Sequence, residues 1–223
     1  MKRVGWIFCA LLLAGCAWFG DEKLEKPAAD LIQDGIEAYE DGRYQQAIKN
    51  FEQLKDWYPF SKYAILAELK IADAHYRLKQ YPEAIQAYEE FEQLHPRNEA
   101  IPYVIYQIGR CYYDQIDSVD RDQTPAQKAL ETFQRLMRQH PEDGHAVKAR
   151  SHIQVCLKSL AGHEFYVGMY YYKAERYEAA RHRFLTVLTQ YPDTGTHYRA
   201  LILLADCEAM LARVADTDSQ PVQ

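Results

Sequence analysis

One segment is written four times along this chain, and it constrains the fold more than anything else in the sequence. Three copies are YQQAIKNFEQLKDWYP (44–59), YPEAIQAYEEFEQLHP (81–96) and YEAARHRFLTVLTQYP (177–192). In each, a tyrosine is followed after three residues by alanine, after four more by Phe or Tyr, and after eight more by proline. The fourth copy, AQKALETFQRLMRQHP (126–141), keeps Ala129, Phe133 and Pro141 and has Ala126 where the tyrosine stood. Proline ends each unit because its ring cannot continue a helix. Small residues let helices approach closely, and the aromatics fill the gap to the next pair.

A second set precedes three of the copies. Gly35, Ala72 and Gly168 lie twelve residues before the alanine, and Tyr39, Tyr76 and Tyr172 lie eight before it. This pattern resembles the tetratricopeptide repeat, a helix–turn–helix unit that cannot bury its apolar face alone and stacks on its neighbours. The expected fold class is all-α, an α-α superhelix of about five such hairpins. The predicted helices are 30–41 with 44–57, 61–79 with 82–94, 99–114 with 125–139, and 144–174 with 177–190. A last helix at 197–212 caps the stack. Ser61 and Asn98 stand where N-caps belong. The repeat also accounts for the 18 tyrosines.

The array departs from regularity twice. Its terminal prolines are 37, 45 and 51 residues apart (Pro59, Pro96, Pro141, Pro192), against a usual period of about 34. The second gap holds an insertion, DQIDSVDRDQTP (114–125), between the two helices of the third hairpin. The third gap holds a proline-free stretch that reads as one helix with roughly four to five extra turns. Such a helix is expected to project past its neighbours.

The insertion has the look of a metal loop. Asp120, Asp122, Thr124 and Glu131 fall at positions 1, 3, 5 and 12 of an EF-hand, but position 6, which must be Gly, is Pro125. Moreover, residues 126–131 belong to the next repeat helix. The preferred reading is a capping box, with Thr124 as N-cap, Pro125 as first helical residue and Gln127 as third. No metal or other cofactor is expected.

The N-terminus addresses the chain to a membrane. Lys2 and Arg3 precede an apolar run, Val4 to Leu13, too short to span a bilayer. Leu13-Ala14-Gly15-Cys16 resembles the bacterial lipobox, which implies acylation at Cys16. Ala17 then implies the outer membrane by the sorting rule of such signals; an ordinary signal peptide is the alternative. The expected layout is signal 1–15, tether 16–29, repeat domain 30–213 and a loose tail 214–223. Removing the signal takes away two cations and no acid, leaving 24 basic against 32 acidic residues, or −8. That balance speaks against nucleic acid as a partner. Cys111, Cys156 and Cys207 form no CxxC pair and read as small buried hydrophobes rather than a disulfide.

No HExxH, phosphate loop or GxSxG elbow is present, so the chain does not read as an enzyme. A residual alternative is a hydrolase using Cys156, four residues after His152, although no third orienting group is visible.

Together, the lipobox, the repeats, WYPFSKYA (57–64), DRDQTPAQKALETF (120–133) and HEFYVGMYYYKAERYEAARHRFLTVLTQYPDT (163–194) resemble the BamD family. These are lipoprotein subunits of the machinery that assembles outer-membrane β-barrels. The resemblance implies a lipid-anchored scaffold on the periplasmic face of the outer membrane. It implies docking to a BamA-like subunit, companionship with other assembly lipoproteins, and recognition of the C-terminal signals of unfolded outer-membrane proteins. It places partner binding at the C-terminal hairpins, with Arg183, Tyr172 and Arg176 as candidates. Substrate falls on the N-terminal side, with Tyr58, Phe60, Tyr63 and Tyr76 as candidates. Tyr63 and Tyr76 read equally as packing between hairpins, and Arg183 as a solvated charge. Another periplasmic tetratricopeptide lipoprotein, serving pilus biogenesis or envelope coordination, is the second reading.

Overall fold

A computed structural model describes residues 26–218, so the signal, Cys16 and the last five residues lie outside it. All nine elements among the described residues are helices: α1 (Ala28–Glu40), α2 (Tyr44–Trp57), α3 (Ala64–Arg77), α4 (Tyr81–Leu94), α5 (Ile101–Tyr113), α6 (Thr124–Gln139), α7 (Gly144–Lys173), α8 (Tyr177–Gln190) and α9 (His197–Asp218). Consecutive helices pack on one another throughout. In each of four hairpins the first helix (A) meets the second (B) through the repeat residues. A methyl group added at Gly35 would stand 2.2 Å from the Phe51 ring, at Gly109 2.5 Å from Phe133, and at Gly168 2.7 Å from Phe184. In the second hairpin the position is Ala72, fully buried.

Helix B buries the same three positions every time: Ala47, Phe51 and Leu54 in α2, and Ala180, Phe184 and Val187 in α8, none more than 1% exposed. Spaced by four and three residues, they form one stripe along the helix. The A-helix tyrosine then meets the first tyrosine of its B helix edge-on, Tyr39 with Tyr44, Tyr76 with Tyr81 and Tyr172 with Tyr177. Where Ala126 replaces that second tyrosine, Tyr113 turns instead to Phe133 and His152.

The long helix corrects one expectation. It does not project; it joins two cores. Ala146, Ala149, Cys156 and Leu160 pack into the core built by α4, α5 and α6, whereas Phe165 packs with Ala180, Phe184 and Ala200 of the C-terminal core. Sequence register explains why. The eighth residue after each terminal proline is a fully buried residue at the start of a helix A: Ala67, Val104, Ala149 and Ala200. Thus α7 begins as a helix A and, lacking a turn and a B helix, runs straight on into the next helix A. Its thirty residues are two such helices in line.

The cysteines obey the same register. Cys111, Cys156 and Cys207 are each the fifteenth residue after a terminal proline, and Ala74 holds the equivalent place in α3; all four are fully buried. All three thiols are free.

Several caps differ from expectation. Helix α3 starts at Ala64 and α5 at Ile101, without side-chain caps. Ser61 Oγ and Asn98 Oδ1 each accept from the amide two residues on, at 3.3 and 2.9 Å, so they shape the turns before the helices. Thr124 is already inside α6. Asp122 Oδ1 accepts from its amide at 3.0 Å and from its hydroxyl at 2.8 Å, and Gln127 reaches forward to Glu131. The expected capping box is therefore replaced by an Asp turn that starts two positions earlier, at Asp122. At the other end α9 continues to Asp218, past the predicted 212, and its Leu211 and Val214 line a cleft shared with the start of α8.

Candidate functional site

The insertion and the fused helix fit one another. Ile116 packs into the central core. His163 Nδ1 lies 2.7 Å from the Val119 carbonyl, and Ser159 Oγ donates to Gln123 Oε1 at 2.8 Å. Gln123 Nε2 in turn donates to the Ser118 and Arg121 carbonyls. Val119 sits against Gly162 so closely that a methyl there would be 2.8 Å from its Cγ1. The loop thus seals the middle of α7, where its two halves join. The aspartates are occupied locally. Asp120 takes the Ser118 hydroxyl and Asp122 holds Thr124, bonds that keep both carboxyls below their usual range. Asp114 receives Tyr76 and Arg110. Among the described residues no three His, Cys, Asp or Glu side chains converge as metal ligands do.

The candidate residues fall in three places. Tyr58 and Tyr63 pack against the N-terminal core, and Tyr58 donates to the Lys26 carbonyl at 3.1 Å. Phe60, between them in the turn joining the first two hairpins, is fully exposed. Tyr76 is apart from these. Its hydroxyl donates to Asp114 Oδ2 at 2.6 Å and accepts from Arg110 at 2.9 Å, so it ties the second hairpin to the third. Burial first, then the Asp114 bond, push its pKa up. Tyr172 performs the same act further along, donating to Asp206 of α9; that bond lifts its pKa to about 12. Arg183 reaches back across its own hairpin to Glu164, 3.0 and 3.2 Å from its carboxylate oxygens. Arg176 is exposed in the α7–α8 turn, on the rim of the cleft that includes Tyr177, His182, Leu211 and Val214.

The hydrolase alternative finds no support. Cys156 is fully buried and its thiol is pushed up to about 12 by burial, the opposite of an activated nucleophile. His152 is stacked on Phe133 and lies 3.0 Å from the Tyr106 hydroxyl.

One polar site was not anticipated. Asp73, 3% exposed, accepts from the hydroxyls of Tyr88 at 2.7 Å and Tyr103 at 2.6 Å and from Lys70 at 3.0 Å. Tyr88 stands where the other three copies have phenylalanine. Its extra oxygen, wholly buried, needs an acceptor, and that exception to the pattern was the available signal.

The chain matches the family model YfiO, described as outer membrane lipoprotein, over residues 24–220. The chain belongs to the YfiO family. Its curated relatives include the outer membrane protein assembly factor BamD of Caulobacter vibrioides, 29% identical over 204 residues, covering 90% of this chain and 67% of that protein. BamD of Rickettsia prowazekii is 29% identical over 202 residues, covering 90% and 80%, and that of Haemophilus influenzae is 24% identical over 233 residues, covering 100% and 89%. Among solved structures, tetratricopeptide-like repeats of a putative kinesin light chain from Podosopora anserina align with 84% of this chain and 96% of that one, at 14% identity and a TM-score of 0.47. The YfiO match spans every helix described above.

Proposed function

We propose that the protein is a non-catalytic, lipid-anchored scaffold for outer-membrane protein assembly, held at the periplasmic face of the outer membrane through Cys16. The single observation that carries this reading is the YfiO match over the whole helical array, insertion and fused helix included. The relatives' shared name, outer membrane protein assembly factor, supplies the process.

Two finer assignments belong to this reading. The N-terminal hairpins take the aromatic end of an unfolded barrel protein, and Phe60 is the side chain best placed for it, an exposed ring between two tyrosines anchored in the core. Such rings give large contact area at small entropic cost. The C-terminal hairpins dock a BamA-like subunit and its accessory lipoproteins through Arg176 and the region around Arg183 and Tyr172.

Cell fractionation and affinity purification test the reading. Cys16→Ser is expected to leave the membrane fraction, and retention there would remove the anchor. Arg183→Glu should lower co-purification of a barrel subunit carrying periplasmic repeat domains by at least tenfold with helicity unchanged. Undiminished recovery would take Arg183 out of the interface. Recovery of pilus components in place of a barrel subunit would favour the second reading.

A further inference from the structure

The ring of His152 ends a chain of polar groups that links three helices A, namely α7, α5 and α3. It stacks on Phe133 of α6 with centroids 5.2 Å apart, and lies 4.5 Å from the Tyr113 ring and 5.8 Å from the Tyr106 ring, both on α5. Its Nε2 is 3.0 Å from the Tyr106 hydroxyl. Tyr106 also faces Arg110, which donates to the Tyr76 hydroxyl and to Asp114. Tyr76 in turn donates to Asp114 at 2.6 Å.

This cluster is short of acceptors. Asp114 already serves both Tyr76 and Arg110, and Arg110 Nε is buried without a hydrogen bond among the described residues. A neutral His152 eases the shortage. Its bare Nε2 accepts the Tyr106 hydrogen and leaves the tyrosine oxygen's lone pairs toward Arg110. Protonation reverses this, because both ring nitrogens then donate. The Tyr106 oxygen has to accept from Nε2, its own hydrogen turns toward Arg110, and a second cation shares the one carboxylate.

Nothing else beside the ring relieves it. The charges that act on His152 are Arg110 and Asp114, both on α5. From α6 it meets the uncharged ring of Phe133. On α7 itself, His145 shares the Tyr106 ring but pairs with Asp143, and Cys156 is a buried neutral thiol. Burial, then Arg110, disfavour the imidazolium here. A proton therefore binds better to any arrangement in which the ring is wetter or Arg110 is further away, and it shifts the balance toward that arrangement.

The second and third hairpins are tied at two levels. Tyr76 joins the ends of α3 and α5, and Asp73 holds Tyr103 about two turns earlier on α5. The first tie is wired to His152; the second, which Tyr88 and Lys70 complete, contains no histidine. We propose that His152, Tyr106, Arg110, Asp114 and Tyr76 form an acid-operated joint, closed at Tyr76 while the ring is neutral and released when it takes a proton, so that the second hairpin swings about the Asp73 tie. The array changes its curvature in acid while its helices stay folded. The joint does not rest on which machine the chain serves.

Paired spin labels test it in the full chain. Ketone-bearing residues at Lys49 of α2 and Gln134 of α6, both exposed, take hydroxylamine labels and spare the native cysteines. Wild type should show one label distance at about pH 7.5 and a second, resolved one at about pH 5, on either side of the ordinary histidine value, with circular dichroism unchanged. His152→Asn should keep the first distance throughout. Asp114→Asn, which removes the shared carboxylate, should show the second distance already at neutral pH. A single distance in wild type at both pH values, a second one that persists in His152→Asn, or the closed distance in Asp114→Asn would each overturn the proposal.

Discussion

Among single residues, Asp73 carries the heaviest burden. It takes three donors in a buried place, and without it the Tyr88 and Tyr103 hydroxyls lose their acceptor. Asp73→Ala should therefore cost about 2–4 kcal/mol in urea unfolding. Tyr88→Phe should cost about 1 kcal/mol, since Asp73 keeps Tyr103 and Lys70 and the other copies already use phenylalanine. Equal losses would contradict this ranking. His152 sets an acid limit. Burial, then the nearby Arg110, hold its pKa below the ordinary histidine value. The folded state therefore favours the neutral ring, and its contribution is present above about pH 6.5 and lost as pH falls through the lowered folded value. Wild-type stability should decline below about pH 6.5 with a slope that His152→Asn reduces; an unchanged slope would exclude His152. Residue-scale detail was unevenly legible. The aromatic and alanine positions could be read because they recur. Asp73 could not be read from its own helix, because its tyrosine partners come from α4 and α5; only tyrosine in place of phenylalanine at Tyr88 hinted at a buried acceptor. Gly109 was hidden by the insertion, which broke the twelve-residue spacing that exposed Gly35 and Gly168.

Among the elements, the insertion and α7 explain each other. Both irregularities were visible in the proline spacing, but read separately they predicted a capped loop and a projecting helix. Register alone cannot tell whether extra helical turns extend into solvent or fuse two units. That depends on what the intervening half packs against, and here it is α5 and α6. The contact of Val119 with Gly162 tests their coupling. Gly162→Ala places a methyl 2.8 Å from Val119 Cγ1, and overpacking of this kind costs roughly 1–3 kcal/mol. The loop should lift, and trypsin should cut at exposed Arg121 severalfold faster. Adding Val119→Ala should restore resistance. Equal proteolysis in the single and double variants would show that the loop is held elsewhere.

For the whole molecule, the fused helix makes one body of two cores. Ala149 and Cys156 belong to one core and Phe165 to the other, with only a few turns of α7 between them. Lys158 is exposed within those turns, so Lys158→Pro removes no buried side chain yet breaks the helix, at about 3 kcal/mol or more. Wild type should unfold in one calorimetric transition and the variant in two; a single transition in both would mean that the loop and flanking packing couple the cores without α7. This rigidity suits the proposed scaffold, which would hold the client proposed at the Phe60 end and the machinery proposed at the α8–α9 end at fixed separation. The central claim is that such a scaffold serves outer-membrane protein assembly, and depletion tests it most directly. When the protein is withdrawn from growing cells, folded β-barrel proteins in the outer membrane, scored by heat-modifiable mobility, should fall before total membrane protein does. Barrel proteins that remain at full, folded levels after depletion would contradict the account.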